Sequence, residues 1–320
     1  FRSQTAGLLQ KSEMLRAVDG VSFELAAGET LGIEGESGCG KSSLARGILR
    51  LVDLHAGRVA LLGENLSELD AAALRAKRKH MQVIFQDPLA SLNPRMTVGE
   101  IIAEPLQTFQ PELTYPERAH KVRSRLSRVG LGAEHINRCP HEFSGGQCQR
   151  IGIARALILN PKLLICDEPV SALDVSVQAQ VINLLMDLQR DMGLSMIFIA
   201  HDLSVVKHIS DRTLVLYLGR VMETANSATL TTAPEHPYSR ALSASVPIPD
   251  PVLARARPRP ILEGELPSPL SPPSGCVFRT HCPKAQASCA GDRPMLKDLG
   301  NGHQVACPFH QAKEVLAVPA

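Results

Sequence analysis

Thr30-Leu31-Gly32-Ile33-Glu34-Gly35-Glu36-Ser37-Gly38-Cys39-Gly40-Lys41-Ser42-Ser43 carries an apolar run into a glycine-rich loop, and Ser42 to Leu51 follows with helical composition. Gly35 to Ser42 satisfies the pattern G-x4-G-K-S/T. Its glycines let the backbone turn N–H groups toward phosphate, Lys41 reaches the terminal phosphates, and the Ser42 hydroxyl can ligate Mg²⁺. The N-terminus of the helix adds positive potential at the same place. The strand, loop and helix order is the setting this motif requires. Gly35, Ser37, Gly38, Cys39, Gly40, Lys41, Ser42 and Ser43 are therefore the candidate nucleotide cradle.

Outward from the loop, residues 16–25 and 29–34 alternate or run apolar, as strands do. Leu163 to Cys166, Met196 to Ala200 and Thr213 to Tyr217 are short apolar runs suited to buried parallel strands, and Val177 to Met192 has helical periodicity. A doubly wound α/β domain is expected. Leu163-Leu164-Ile165-Cys166-Asp167-Glu168 ends a buried strand in two carboxylates, at the carboxyl edge where such sheets bind ligands. Asp167 suits the Mg²⁺ shell, and Glu168 suits polarising a water that attacks the terminal phosphate.

From Thr97 to Glu142 the chain becomes helical and charged, punctuated by Pro105, Pro111, Pro116 and Pro140. This predicts an inserted helical subdomain over about 97–155 within a nucleotide-binding domain of residues 1–233. The remainder, 234–320, opens with a stiff linker containing Pro247, Pro249, Pro251, Pro258, Pro260, Pro267, Pro269, Pro272 and Pro273 and ends in a cysteine-bearing tail. No internal repeat is evident.

The 320 residues carry 34 Lys and Arg against 32 Asp and Glu, a net charge of +2, which gives no reason to expect nucleic acid as a partner. Arg255, Arg257 and Arg259 in the linker read as solvated charges. No apolar run reaches the ~18 residues that cross a bilayer, so a membrane role must come through a partner. The chain opens at Phe1 without a signal-like segment, and a trimmed cytoplasmic protein is expected. Of its 8 cysteines, Cys276, Cys282, Cys289 and Cys307 cluster at the end in a short, proline-rich segment and look like a site. Four soft ligands can hold tetrahedral Zn²⁺ or an iron-sulfur cluster, and the spacing lacks the tight C-x2-C pairs typical of zinc. A reducing cytosol disfavours disulfides.

Phe143-Ser144-Gly145-Gly146-Gln147 closely resembles the signature of ATP-binding cassette (ABC) proteins. The order phosphate loop, Gln86, signature, Asp167-Glu168, Ser171-Ala172-Leu173-Asp174, His201 is that family's order. The resemblance covers roughly residues 1–225. It implies the P-loop NTPase fold with an inserted helical signature subdomain, ATP and Mg²⁺ as ligands, and ATP hydrolysis. By the same resemblance, Gln86 is the residue that senses Mg²⁺ and the γ-phosphate, Glu168 and His201 act on the attacking water, and Asp174 lies in the loop between two ATPase subunits. It also implies that Ser144, Gly145, Gly146 and Gln147 face the nucleotide held by the other subunit, and that Phe1 stacks on adenine. Cys148 departs from the basic residue common after the signature.

Gln86-Asp87-Pro88, Ser91-Leu92-Asn93-Pro94-Arg95, His236-Pro237-Tyr238-Ser239, Gly264-Glu265-Leu266-Pro267-Ser268-Pro269, Gly275-Cys276 and Gly302-His303-Gln304-Val305-Ala306-Cys307 are similar to the ATPases of dipeptide, oligopeptide and nickel importers, most of all to the second ATPase of dipeptide importers. That likeness implies import of di- or oligopeptides, or alternatively of nickel, a metal chelate or glutathione. It further implies a paralogous ATPase partner, two transmembrane permease subunits, an extracytoplasmic substrate-binding protein, and a peripheral place on the cytoplasmic face of the inner membrane. For the four cysteines it implies a four-iron, four-sulfur cluster. Chromosome-maintenance ATPases share the signature but place a long coiled coil where only about a hundred residues without sustained heptads lie here. A non-enzymatic relative would have lost Lys41, Glu168 or His201, and all three are present.

Overall fold

The computed structural model describes residues 15–246 and 267–310, in two compact units. One is built from Phe23–Gly32 and Ser42–Ala200; the other contains Ile33–Lys41 and the described residues of 15–22 and 201–310. Strand β1 (Thr30–Glu34) gives its first three residues to the former and its last two to the latter.

In the first unit, β1 is followed by α1 (Lys41–Ile48), a small antiparallel hairpin of β2 (Ala60–Leu61) and β3 (Glu64–Asn65), and α2 (Ala71–Lys77). Then come β4 (Met81–Ile84), α3 (Val98–Phe109), α4 (Tyr115–Arg128), α5 (Gly145–Leu157), β5 (Leu163–Asp167), α6 (Val175–Met192) and β6 (Ser195–Ile199). β4, β5 and β6 are parallel neighbours, with Ile84 beside Cys166 and Asp167 beside Ile199. β5 is buried along its whole length, which is why it reads as a continuous apolar run and not as an alternation. The register brings the carboxyl ends of β4 and β5 side by side, and with them the residues that follow, Gln86 and Glu168.

The expected helical insertion is α3, α4 and the start of α5. Each of these helices begins at a capping box: Thr97 with Glu100, Thr114 with Glu117, and Ser144 with Gln147. Buried Arg125 of α4 donates to Asn160 Oδ1 at 2.7 Å, tying the insertion to the turn before β5. α6 stops at Gly193, whose φ of +58° forms the left-handed C-cap.

The second unit holds α7 (Leu203–Ile209), β7 (Arg212–Tyr217), β8 (Arg220–Asn226), α8 (Ser227–Thr232), α9 (Pro237–Ser245), β9 (Lys297–Asp298) and β10 (Gln304–Val305). Two sequence expectations change here. Thr213–Tyr217 is a buried strand, but its neighbour β8 is antiparallel, joined by a two-residue turn in which Leu218 and Gly219 both have positive φ, so the sheet is mixed. Residues 16–25 lie in no strand among the described residues. Asp19 there is drawn into ion pairs with Arg220 and Arg293, and Gly20 takes a φ of +69° that interrupts extension. Val21, Phe23 and Leu25 still alternate with exposed Ser22 and Glu24, which is the periodicity the sequence displayed.

The tail adds strands to this unit. β10 pairs antiparallel with β8, Gln304 opposite Thr224, and β9 pairs with β10. Tyr217, Met222, Tyr238, Val277 and Phe278 share one core, with Phe278 edge-on to Tyr217 at 5.3 Å between ring centroids. The linker prolines 247, 249, 251, 258 and 260, the arginines 255, 257 and 259, and Gly264-Glu265-Leu266 lie outside the described residues. Among those described, no helix is long and apolar enough to cross a membrane.

Candidate functional site

The phosphate loop is held open by glycines where no other residue fits. At Gly35, φ +154°, a Cβ would run into the Leu216 carbonyl oxygen, and at Gly40, φ +109°, into that of Ala17. The Gly219 N–H donates to the Cys39 carbonyl at 2.7 Å, so the turn between β7 and β8 braces the loop from behind. Lys41 is 4% exposed and its ammonium donates to the carbonyl oxygens of Gly35 at 2.7 Å and Glu36 at 3.1 Å. The cation is thus folded back over its own loop. Cys39 is buried, and burial pushes its thiol pKa up. Ser37 and Gly38 are exposed at the tip.

At the carboxyl edge of the parallel strands two side-chain pairs form. Ser42 Oγ donates to Asp167 Oδ1 at 2.9 Å, and Gln86 Nε2 donates to Glu168 Oε2 at 2.8 Å. Ser43 lies beside Ser42 in the first turn of α1, half-buried. A hydroxyl and a carboxylate oxygen already in contact are a donor set suited to Mg²⁺, a hard cation that takes oxygen ligands and one or two carboxylates. Glu168 has a φ of +49°, uncommon for a residue with a side chain, and its N–H donates to the Ile199 carbonyl at 3.0 Å. The bond to the end of β6 fixes a backbone that would otherwise relax, at a cost of order 1–3 kcal/mol, and aims the carboxylate off the strand edge. His201 is exposed immediately after β6, and Asp202 behind it caps α7 through the Ser204 N–H at 2.8 Å.

The signature residues open α5. Ser144 is its N-cap, accepting from the Gln147 N–H at 3.3 Å while Gln147 Oε1 accepts from the Ser144 N–H at 2.9 Å. Ser144 and Gly145 are exposed. The helix start therefore presents N–H groups and positive dipole outward. Cys148, the departure from the family pattern, is 0% exposed with its thiol 3.5 Å from the Pro140 carbonyl; it is a packing residue under the helix. Asp174 is the N-cap of α6 without a side-chain capping bond. Phe1, the expected adenine-stacking aromatic, lies outside the described residues.

Cys276, Cys282, Cys289 and Cys307 line one cavity of about 400 Å³. The structure gathers all four around that one cavity. The expected iron-sulfur cluster is not supported beyond that, because among the described residues no group of three or more His, Cys, Asp or Glu stands in the arrangement of a metal-ion site. Burial raises the pKa of Cys276, Cys282 and Cys307, the last to about 11, and neighbouring cysteines add to each shift.

Two residues that sequence reasoning passed over stand out. Glu34, the last residue of β1, is 2% exposed, and its pKa is raised to about 8 by burial and by Asp202, with Lys41 opposing. A carboxylate closing an otherwise apolar strand was the available signal. Tyr238, used only as part of a motif, is fully buried and its hydroxyl accepts from the Glu36 N–H of the phosphate loop at 3.0 Å.

Comparison with known proteins agrees with the geometry. Residues 18–171 match the ABC transporter family, and residues 222–289 match the oligopeptide/dipeptide transporter C-terminal region. The oligopeptide transport ATP-binding protein OppF of Haemophilus influenzae is 60% identical over 93% of this chain and 90% of its own length. OppF of Escherichia coli is 60% identical over 93% of this chain and 89% of its own. A dimeric ATP-binding cassette solved in a post-hydrolysis state with ADP and Pi superposes with a TM-score of 0.61 and 29% identity, over 66% of this chain and 90% of that one. The chain thus belongs to the ABC transporter ATPases, in the branch that carries the oligopeptide/dipeptide transporter C-terminal region.

Proposed function

We propose that this chain is the ATP-hydrolysing subunit that drives import of di- or oligopeptides, and that Gln86, Glu168 and His201 carry out the chemistry. The observation that carries this reading is the pair of contacts at the strand edge: Ser42 with Asp167, and Gln86 with Glu168.

In this reading ATP lies along Gly35, Ser37, Gly38, Cys39, Gly40, Lys41, Ser42 and Ser43. Its phosphates draw the Lys41 ammonium off the Gly35 and Glu36 carbonyls. Ser42, Asp167 and Gln86 would hold Mg²⁺, which when bound neutralises the phosphate charge as it moves onto the leaving oxygen. Glu168, released from the Gln86 amide, accepts a hydrogen bond from the attacking water and aligns it with the γ-phosphorus. His201 donates to the γ-phosphate. Ser144, Gly145, Gly146 and Gln147 present the N-terminus of α5 to ATP held by a second ATPase subunit, with Asp174 in the crossing loop, so two chains close on two nucleotides.

Closure would be transmitted through the segment from Asp87 to Glu104 to two membrane permease subunits, which receive peptide from a substrate-binding protein. Exposed Phe85 just before this segment and exposed Leu89 within it suit a protein partner, and Arg155 fixes it by donating to the Ser91 carbonyl at 2.6 Å. The subunit would sit peripherally at the cytoplasmic face of the inner membrane. Glu168→Gln should lower ATP hydrolysis at least about a hundredfold while MgATP binding persists and a closed dimer accumulates. Hydrolysis at the unmutated rate would remove Glu168 from this role.

For the tail, the proposal is a four-iron, four-sulfur cluster held by Cys276, Cys282, Cys289 and Cys307. What supports it is the donor set: four thiols line one cavity, and four cysteine thiolates are the ligand set that holds such a cluster. Iron and acid-labile sulfide in anaerobically purified protein, both lost when Cys282 and Cys289 become Ser, are the expected result. Stoichiometric zinc without iron would replace the cluster with a zinc site.

A further inference from the structure

We propose that Tyr238 is the positioning residue of the phosphate loop, holding the Glu36 backbone in the arrangement that receives ATP. Glu36 is engaged on both sides of its backbone. Its N–H donates to the Tyr238 hydroxyl at 3.0 Å, and its carbonyl accepts from the Lys41 ammonium at 3.1 Å. The same residue thus links a buried phenol on α9 to the cation of the loop. The bond from the Gly219 N–H to the Cys39 carbonyl braces the far side of the loop, and Ser37 and Gly38 between the two anchors are exposed.

Tyr238 can act as a fixed point because its own place is determined from several directions. Its ring is packed edge-on against Tyr217 at 4.7 Å and beside Phe278 at 5.2 Å between centroids. Its N–H donates to His236 Nδ1 at 3.0 Å, the side-chain cap of α9. The turn that carries His236 is held in turn by Glu223, which is fully buried in β8 and accepts from the Glu235 N–H at 2.7 Å and the His236 N–H at 2.9 Å. The oxygen that accepts from Glu235, Oε1, is also met by Nε2 of His303, 2.7 Å away, next to β10. A continuous set of hydrogen bonds therefore runs from the cysteine-bearing tail through Glu223 and His236 to Tyr238 and the phosphate loop. The hydroxyl stays protonated, since burial raises its pKa well above the ordinary phenol range.

A hydroxyl that only filled space would leave nucleotide affinity untouched when removed, whereas one that positions the loop would not. This inference rests on the reading of Gly35–Ser42 as the ATP site. Tyr238→Phe keeps the ring and deletes the bond, so the full chain should bind MgATP about tenfold more weakly, the scale of one buried hydrogen bond. Turnover at saturating ATP should stay within about twofold, because the reacting groups are unchanged. Val277→Ala, in the same core but with no polar group to bond the loop, should lower Tm and leave ATP affinity as it was. In the unmodified chain without nucleotide, the Glu36 amide should be protected from hydrogen exchange, and Tyr238→Phe should release it. Normal ATP affinity in Tyr238→Phe, an unprotected Glu36 amide in the unmodified chain, or equal loss of affinity in Val277→Ala would each overturn the proposal. Lys41→Ala separates the two layers: if it binds ATP normally, the site reading itself fails, and if it alone is impaired, only Tyr238 is excluded.

Discussion

Glu34 closes β1 almost wholly out of water, next to the loop that carries Lys41, and this makes it a pH-sensitive element of the fold. Its carboxyl holds a proton up to about pH 8 in the folded chain, against an ordinary value of 4.5, because burial penalises the charged form. Between those two values the folded state binds the extra proton, so stability falls as pH rises through this window and levels off above about 8. The slope from this one group is at most about 1.4 kcal/mol per pH unit. Glu34→Gln removes it: the variant should match the parent near pH 5 and be the more stable of the two at pH 8, as read from Tm between pH 5 and 9. Parallel Tm curves would mean that Glu34 is charged in the fold at neutral pH. Asp167 and Glu168 were legible in the sequence because two carboxylates after four apolar residues have one natural place, a strand end. The protonation of Glu34 was not, since it depends first on how deeply the fold buries the strand end and then on Asp202, which the chain brings near from another element.

The start of α5 separates two glycines that a motif treats alike. A Cβ on Gly146 would collide with Val177 Cγ1, a branched side chain with little room to move, whereas one on Gly145 meets only Leu173 Cδ2 at an ordinary 3.6 Å. Gly146→Ala should therefore cost about 1–3 kcal/mol of stability by overpacking. Gly145→Ala should leave Tm unchanged or slightly higher, since alanine is the better helix former. A Tm loss of the same size in both would contradict this packing. The distinction lies outside the reach of sequence, because Val177 belongs to α6. The elements themselves were readable where burial is two-sided or the helical period is clear: β5, β6 and α6 fall where their apolar patterns put them. Residues 16–25 were misread for the converse reason. Alternation reports which side chains face inward, while a strand also needs a partner, and Gly20 and the Asp19 ion pairs set a different backbone path.

In the proposed reading the chain supplies half of a catalytic arrangement. Its phosphate loop has Lys41 folded onto its own carbonyls, and its signature helix points exposed Ser144 and Gly145 away from the core. In the proposed dimer each is completed by a second subunit, and the two halves should then fail in different places. Consider a complex in which the partner ATPase carries a hydrolysis-dead substitution of its own catalytic glutamate, so that turnover comes only from ATP at Lys41 of this chain. Gly145→Ala here alters the surface against the partner's nucleotide and, given its harmless packing, should leave that remaining turnover nearly intact. The equivalent signature change in the partner should abolish it, because that surface completes the site at Lys41. Reversing the arrangement, with Glu168→Gln in this chain and an active partner, should make Gly145→Ala the damaging change. If Gly145→Ala suppresses turnover equally in both arrangements, the signature does not act across the dimer, and the pairing of Lys41 with the partner's signature is wrong.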